Sequence, residues 1–384
     1  MSLSLSARTD HITQAEIRVM TIECEKVGGV NLAQGVCDLG VPREVVEGTV
    51  EAIARGYNNY TRYDGLPELR QAIAGKLLRF NGIEVDPETE VTVSAGSTGA
   101  LYCACMALLD AGDEVILFEP YYGYHLNTLL AVGAVPRYVT TRPPDWTFNP
   151  QDLEKVVSQH TKGIMVCTPG NPSGKVYSDQ ELRWIADFAK EHDLFVFTDE
   201  IYEYFVYDGR THRSPASFTD IRDRTIMISG YSKTYSITGW RIGYSSCQKQ
   251  WADAIGYVND LIYVCAPAPL QLGVAAGIDR LEASYYSGLC EAFRKKRDLF
   301  CSTLTEVGLT PMVPQGSYYV LADATRLPGS NSKEKSMYLL SRTGVASVPG
   351  AAFYQSKAGR NLVRFCFAKT EAELEDACAR LQRL

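Results

Sequence analysis

Short apolar runs alternate with stretches of helical periodicity from about position 50 onwards. Residues 163–167, 194–198 and 225–229 are apolar runs of strand length, and polar residues follow each of them. Between the first two runs, residues 179–191 carry apolar side chains at helical spacing, with Ser178 available as the N-cap. This alternation is typical of an α/β unit built on a mainly parallel sheet.

The polar residues that follow the three runs are the first indication of a site. Residues 168–174 contain two prolines and two glycines, which cannot continue a strand. Asp199 follows the second run, and Lys233 follows the third. Ligands of open α/β sheets bind outside the carboxyl ends of the strands. We therefore expect the three segments to converge on one crevice.

Near position 280 the pattern changes, which predicts a second unit. A charged helix over 289–306 and two short strands, 317–322 and 361–368, indicate a smaller α+β unit at the C-terminus. The predicted division has three parts. Residues 1–45 form an N-terminal arm and part of the small domain, 46–278 the large domain that binds a cofactor, and 279–384 the C-terminal small domain.

Charge and composition exclude several classes of partner. The 384 residues carry a formal net charge of −7, which argues against nucleic acid or an anionic membrane surface as the main partner. No apolar run approaches the ~20 residues needed to span a bilayer. The 11 cysteines are scattered, and no signal peptide is recognisable, so we expect reduced thiols and a cytoplasmic protein. Cys103 and Cys105 lack the spacing of a zinc site, and no metal site is predicted.

The most specific segment is 230–243, which reads GYSKTYSITGWRIG. An isolated lysine is usually a solvated surface charge. Lys233, however, follows an apolar strand and has small neighbours, and Arg241 offers a planar anion-binding fork eight residues later. The segment resembles the Schiff-base lysine signature of the class I/II aminotransferases, which are aspartate-aminotransferase-like enzymes. The resemblance extends from NLAQG at 31–35 to VRFCFA at 363–368, in the family's order.

The resemblance implies the fold and the cofactor. The expected fold is α/β, that of a fold type I transferase dependent on pyridoxal 5′-phosphate, with a large α/β/α domain on a mainly parallel sheet and a smaller α+β domain. Lys233 would hold the cofactor as a Schiff base. Asp199 would face the ring nitrogen, since its negative charge favours the protonated form. Asn171 and Tyr202 would donate to the phenolic oxygen. Taken alone, Asp199 could equally be a helix N-cap and Asn171 a turn residue.

The resemblance also implies a phosphate site. Residues 95–101 follow a strand and open a helix, so their amides would face an anion at the positive helix end, beside Ser97 and Thr98. Arg241 would add a full positive charge. Many relatives carry a serine where this chain has Gly230, so Ser232 or the Ser97–Thr98 pair must supply the hydroxyl contact.

Two tyrosines match aromatic positions of the family. Tyr122 would stack on the cofactor ring, and Tyr60 would reach the phosphate of a neighbouring subunit. The second match implies a homodimer with shared active sites. Both tyrosines could instead be ordinary packing residues.

Arg364 stands within a predicted apolar strand, where a guanidinium is costly to bury unless it meets a carboxylate. It matches the family's α-carboxylate arginine, with Gly35 and Asn171 beside it. Some aspartate-specific relatives carry a lysine where this chain has Ser97. A neutral, aromatic or broad range of amino acids is therefore the expected substrate class.

The predicted activity is ping-pong transamination, which moves an amino group from an L-amino acid to a 2-oxo acid, often 2-oxoglutarate in this family. Lys233 would move the Cα proton. Two alternatives remain open. Fold and cofactor do not decide which bond breaks, so a carbon–sulfur β-lyase or an enzyme like aminocyclopropane-carboxylate synthase is possible on the same fold. A non-catalytic regulator is the third reading.

Overall fold

The computed structural model describes residues 4–6, 9, 12, 14–37 and 39–384. The remaining residues of the predicted N-terminal arm lie outside the described part of the chain. The helices are α1 Glu16–Lys26, α2 Arg43–Ala54, α3 Pro67–Lys76, α4 Gly96–Leu108, α5 Gly123–Val132, α6 Pro150–Glu154, α7 Asp179–Glu191, α8 Lys249–Tyr263, α9 Ala268–Arg280, α10 Ala283–Glu306, α11 Ser332–Thr343 and α12 Glu371–Leu381. The strands are β1 Val30–Asn31, β2 Val91–Ala95, β3 Glu114–Glu119, β4 Val135–Thr140, β5 Thr161–Cys167, β6 Phe195–Asp199, β7 Thr225–Gly230, β8 Ile242–Ser246, β9 Thr310–Met312, β10 Tyr319–Asp323, β11 Val345–Ala346, β12 Val348–Pro349 and β13 Leu362–Cys366.

Seven strands form the main sheet, in the order β2-β8-β7-β6-β5-β3-β4. Only β8 runs antiparallel to its neighbours, and every other pair is parallel. Alternate strand residues enter different cores: Met165 and Phe197 pack with α4 and α8, whereas Ile164 and Val196 pack with α7. Helices therefore cover both faces of the sheet, and this is the predicted α/β/α arrangement.

The elements predicted around the site are found with small shifts. The strand expected at 163–167 is β5, which begins two residues earlier. Helix α7 has the predicted bounds, and Ser178 caps it as expected. Glu181 completes a reciprocal capping box, because its backbone N donates to Ser178 Oγ at 3.3 Å while its Oε2 accepts from the Ser178 N at 3.0 Å.

The C-terminal part of the chain contains the second predicted sheet. Strands β12, β13, β10 and β9 pair in that order, all antiparallel, and β1 pairs with β11 in parallel. The strand predicted at 317–322 begins later, because Ser317 has a φ of 56° and is not extended. The strand predicted at 361–368 is shorter at both ends. Helix α10 begins six residues before the prediction, since its first turn, rich in Ser and Tyr, is poor in strong helix formers.

The sheet brings the three polar segments together. In the parallel register Cys167 lies beside Asp199, and Asp199 lies beside Ile228. The carboxyl ends of β5, β6 and β7 therefore meet at one edge, as the sequence pattern predicts. Among the helices of the described ranges, none is both long and apolar enough to cross a membrane.

Candidate active site

Lys233 lies three residues beyond the end of β7. Its Nζ donates to the carbonyl oxygen of Gly35 at 3.1 Å. Desolvation lowers the pKa of Lys233 to about 8, and the positive charge of Arg241 acts in the same direction, while Cys366, Cys37 and Asp199 oppose the shift. A lysine amine in this position is neutral in a substantial fraction of molecules near neutral pH, which makes it a usable nucleophile and base.

One pocket contains nine of the twelve predicted site residues together with Cys167, Ile201 and Thr238. The nine are Ser97, Thr98, Tyr122, Asn171, Asp199, Tyr202, Ser232, Lys233 and Arg241. Gly35 and Arg364 contact this set through hydrogen bonds to Lys233 and Asn171 respectively. Tyr60 lies elsewhere, on the surface, with 83% of its area exposed.

Asp199 is the last residue of β6. Its carboxylate is hydrogen-bonded to His125, a residue that was not predicted from the sequence. His125, on α5, is 3% exposed, and its Nε2 lies 2.8 Å from Asp199 Oδ2. An ionised carboxylate offers only acceptor oxygens, so the imidazole supplies the proton of this bond. The other oxygen, Oδ1, accepts from the backbone N of Ile201 at 3.2 Å. These two hydrogen bonds keep the buried carboxylate in one orientation.

Aromatic side chains lie near this carboxylate and at the start of β10. The ring of Tyr122 meets His125 edge-on, with 5.3 Å between ring centroids. The hydroxyl oxygens of Tyr202 and Tyr319 are 3.0 Å apart. Burial raises the pKa of Tyr122 and of Tyr202 well above the usual value, so both phenols stay protonated and able to donate.

The start of α4 and Arg241 form a compact anion site. Arg241 donates from Nη1 to the Thr238 carbonyl at 2.9 Å and from Nη2 to the Ala95 carbonyl at 3.3 Å. Gly96 has a φ of +75°, and a Cβ there would lie 2.4 Å from Arg241 Nη2. The guanidinium thus rests against a bare backbone at a helix N-terminus, where amide dipoles and a full charge favour the same anion.

Arg364, in β13, is fully buried without a carboxylate partner. Its Nη1 donates to Asn171 Oδ1 at 3.0 Å, its Nη2 donates to the Ala33 carbonyl, and its Nε has no hydrogen-bond partner. The rings of Tyr319 and Phe353 lie 4.4 and 5.1 Å from its guanidinium carbon. Among the described residues no carboxylate pairs with it, so a buried charge and one unsatisfied donor lie next to Asn171 of the pocket and suit an incoming anion.

Gly35 approaches the same region through its backbone. A Cβ at this position would lie 1.8 Å from the Tyr319 hydroxyl, so only glycine lets the chain pass so close. Its carbonyl also accepts from the Tyr318 hydroxyl at 3.4 Å. Gly35 therefore fixes the position of a backbone acceptor between Lys233 and the aromatic residues of β10 and its start.

His125 and Tyr319 are the site residues that the sequence did not reveal. His125 follows the Tyr122 segment at a strand end, which is a weak signal, but its partner lies 74 residues away. Tyr319 contacts Tyr202 across 117 residues. A buried histidine or tyrosine is common in any core, so only the three-dimensional distance identifies these two.

The residues present fit the cofactor that the resemblance implies. A reactive amine, an anion site and an oriented carboxylate line one pocket, and these match an aldehyde, a phosphate and a ring nitrogen respectively. The close approach of Gly96 to Arg241 is the structural observation that supports the phosphate end, because any side chain at that position would fill the cradle.

Comparison with known proteins agrees with this chemistry. Residues 27–381 match the sequence model of the family described as "Aminotransferase class I and II". Kynurenine–oxoglutarate transaminase 3 of Rattus norvegicus is 35% identical over 91% of this chain and 83% of its own length. Methionine aminotransferase of Escherichia coli is 32% identical over 92% of each chain. The structure of Thermus thermophilus aspartate aminotransferase with maleate matches with a TM-score of 0.93, at 32% identity and full coverage of both chains.

The desolvated amine of Lys233 yields a prediction for the protein stripped of cofactor. Its reaction rate with trinitrobenzenesulfonate, followed by peptide mass spectrometry, should rise with pH around a midpoint of about 8, because the neutral amine is the reactive form and desolvation favours it. Hydrated lysines in the same digest, with an ordinary pKa of ~10.4, serve as the internal control and should respond only at higher pH. A midpoint near 10 at Lys233 would contradict the desolvated geometry.

Proposed function

Since this chain belongs to the class I and II aminotransferase family and is a pyridoxal-phosphate-dependent aminotransferase, we propose that Lys233 carries the cofactor. In this proposal the enzyme moves an amino group from an L-amino acid to a 2-oxo acid in two half-reactions of ping-pong type. The observation that carries the proposal is the Lys233 amine, which lies in one pocket with Asp199 and Arg241 and has a pKa lowered to about 8.

The cofactor would be held at its two ends. Ser97, Thr98, Ser232 and Arg241 would bind the phosphate, since they surround the helix N-terminus that carries the positive dipole. At the other end Asp199 would face the ring nitrogen. His125 supports this role, because its bond to Oδ2 keeps the carboxylate oriented.

The cofactor ring would lie between these ends. Tyr122, whose ring meets that of His125 edge-on, would pack on one face of the cofactor ring, and Asn171 and Tyr202 would donate to the phenolic oxygen of the cofactor. When bound, pyridoxal phosphate supplies an electron sink for the electron pair left on the substrate Cα.

Lys233 would be both the attachment point and the acid–base group. Its amine, which is partly neutral near pH 8, would remove the proton from the substrate Cα and hold it on Nζ. Nζ would then deliver this proton to the carbon at the opposite end of the C–N bond. A base tethered by its own chain at the pocket floor works by proximity, so the mechanism requires no further base.

Arg364 would bind the α-carboxylate in both half-reactions. Its Nε has no hydrogen-bond partner, and no carboxylate of the described residues pairs with it, which supports this role over that of a structural ion pair. Asn171 already receives a bond from Nη1 and would stay beside the bound carboxylate, while Gly35 would contribute its backbone. One arginine serves donor and acceptor alike, because an amino acid and a 2-oxo acid share this group.

We propose neutral and aromatic amino acids as the preferred donors. Relatives are named for kynurenine and methionine. The ring of Tyr122 lines the pocket, and the rings of Tyr319 and Phe353 lie beside the guanidinium of Arg364. Ser97 stands where some aspartate-specific relatives carry a lysine. The acceptor would be 2-oxoglutarate, since the rat relative is named kynurenine–oxoglutarate transaminase 3.

We further propose a homodimer with shared active sites. Tyr60 is 83% exposed, and the nearby end of α8 exposes Leu261 by 86% and Tyr257 by 63%. Exposed apolar groups of this size on one surface support an interface. Burial of that surface by a second copy would carry Tyr60 towards the partner's phosphate site.

The predicted division of the chain remains a proposal, with boundaries refined by the helices. The pairing of β1 with β11 supports assigning the N-terminal segment to the small domain. The large domain would then run from α2 to the end of α9, which places the boundaries just before Arg43 and just after Arg280. A cytoplasmic location is supported by the 11 cysteines, all described and all free.

A panel of amino donors against several 2-oxo acids tests the function. Methionine, phenylalanine and kynurenine should each transfer nitrogen to 2-oxoglutarate. Aspartate should react at least about 10-fold less efficiently, because its second carboxylate would be desolvated without a dedicated cation. Pyruvate and ammonia from a cysteine conjugate, with no transfer to any 2-oxo acid, would instead favour the β-lyase. The absence of product from every donor would contradict both enzymes.

Arg364 variants test the carboxylate site. Arg364→Leu should lower kcat/KM by about 30-fold to several thousand-fold for methionine and phenylalanine alike, since a desolvated charge-assisted pair contributes roughly 2–5 kcal/mol. Arg364→Lys should also lower it, because an ammonium cannot reproduce the planar fork. Melting temperature is measured in parallel. Unchanged kinetics with a large fall in melting temperature would make Arg364 a structural residue.

A further inference from the structure

A second cavity, which we call the rear cleft, lies between the end of α3, the segment after β6 and the junction of α9 and α10. Its volume is about 820 Å³, within the range of small-molecule sites. It shares a segment with the active site: Tyr202 lines the active-site pocket, while Glu203 and Tyr204 line the rear cleft. None of the predicted site residues lines this cleft.

Aromatic rings form an apolar surface in the rear cleft. Phe80 and Tyr204 have ring centroids 4.5 Å apart, and Tyr204 stacks on Tyr286 at 4.4 Å. Phe80 remains 43% exposed although it is a large apolar side chain. Three contiguous rings, one of them open to solvent, suit a flat aromatic ligand that adds to the stack.

The charges of the rear cleft are unevenly paired. Lys76 and Glu203 form a buried pair with 2.5 Å between Nζ and Oε1, and each neutralises the other. Arg79 and Arg210 are exposed, and among the described residues neither has a carboxylate within 4.0 Å. His212 is paired with Glu200, which lies outside the lining, with 2.7 Å between Nε2 and Oε2. The other charged residues of the lining are three cations, Lys76, Arg79 and Arg210, and two carboxylates, Glu203 and Asp279, which leaves one net positive charge. The protein as a whole is negative, so this excess is local.

We propose that the rear cleft is a binding site for a small aromatic monocarboxylate. The ring of the ligand stacks on Phe80, Tyr204 and Tyr286, and its carboxylate meets the guanidinium groups of Arg79 and Arg210. A dianion is disfavoured by the carboxylate of Asp279, and a cation by the net positive charge of the cleft. The site is non-catalytic, since its one buried amine, that of Lys76, is already paired with Glu203.

The probe is 4-fluorophenylacetate, titrated against the holoenzyme and observed by ¹⁹F NMR. The active site also accepts carboxylates, so two variants separate the sites. In Arg364→Leu, which lacks the active-site guanidinium, binding at the rear cleft should persist. In the double variant Arg79→Gln/Arg210→Gln that affinity should fall by about 10-fold or more, as expected for the loss of two charged contacts.

A matched control replaces two arginines outside the cleft that are likewise exposed. Arg18→Gln/Arg342→Gln changes the net charge equally and should leave the affinity unaltered. Phe80→Leu keeps an apolar side chain but removes the ring, and should weaken binding by about 3- to 10-fold. Cyclohexylacetate, which has the charge without the ring, should bind more weakly than the probe. Cofactor absorbance and melting temperature confirm that each variant is folded.

Two results would overturn the proposal. One is unchanged affinity in Arg79→Gln/Arg210→Gln, and the other is complete loss of probe binding in Arg364→Leu, which would mean that only the active site binds the probe. An equal loss in the Arg18→Gln/Arg342→Gln control would also contradict it, because the effect would then reflect overall charge.

Discussion

The parallel pairing of β5, β6 and β7 is the constraint on which the site depends. Because the three strands end at one edge of the sheet, the segments that follow them must share a small volume. That volume is also lined by the start of α4 and by Tyr122, the residue before α5. Burial removes water from Lys233, and the loss of hydration lowers its pKa to about 8. The topology of the sheet therefore produces the chemical property that an exposed lysine lacks.

The buried side chains of Asp199 and Arg364 differ in their hydrogen-bond partners. Asp199 has an internal partner in His125, which orients it before any ligand arrives. Arg364 has neutral oxygen partners and an unsatisfied Nε, so its charge remains available to a bound anion. Under the proposed function this difference is a form of preorganisation, since the energetic cost of burying Arg364 is met during folding and would be offset by a bound carboxylate.

Much of this arrangement could be predicted from the sequence, because it depends on residues that are close together along the chain. Apolar runs followed by polar residues located Asn171, Asp199 and Lys233, and the spacing of α7 gave its bounds and its cap. Contacts between residues that are far apart in the sequence could not be predicted. His125 and Tyr319 depend on partners 74 and 117 residues away, and the missing counter-ion of Arg364 is a property of its surroundings in space. The rear cleft likewise combines segments from three distant parts of the chain.

Under the proposed function Lys233 carries the cofactor. One measurement tests this attachment most directly. The holoenzyme is reduced with borohydride, digested and mapped by mass spectrometry, with Lys233→Arg treated in parallel as the control. We expect a pyridoxyl group on the peptide that contains Lys233 and no specifically labelled peptide in the variant. A label of equal stoichiometry on another lysine, retained in Lys233→Arg, would contradict the account.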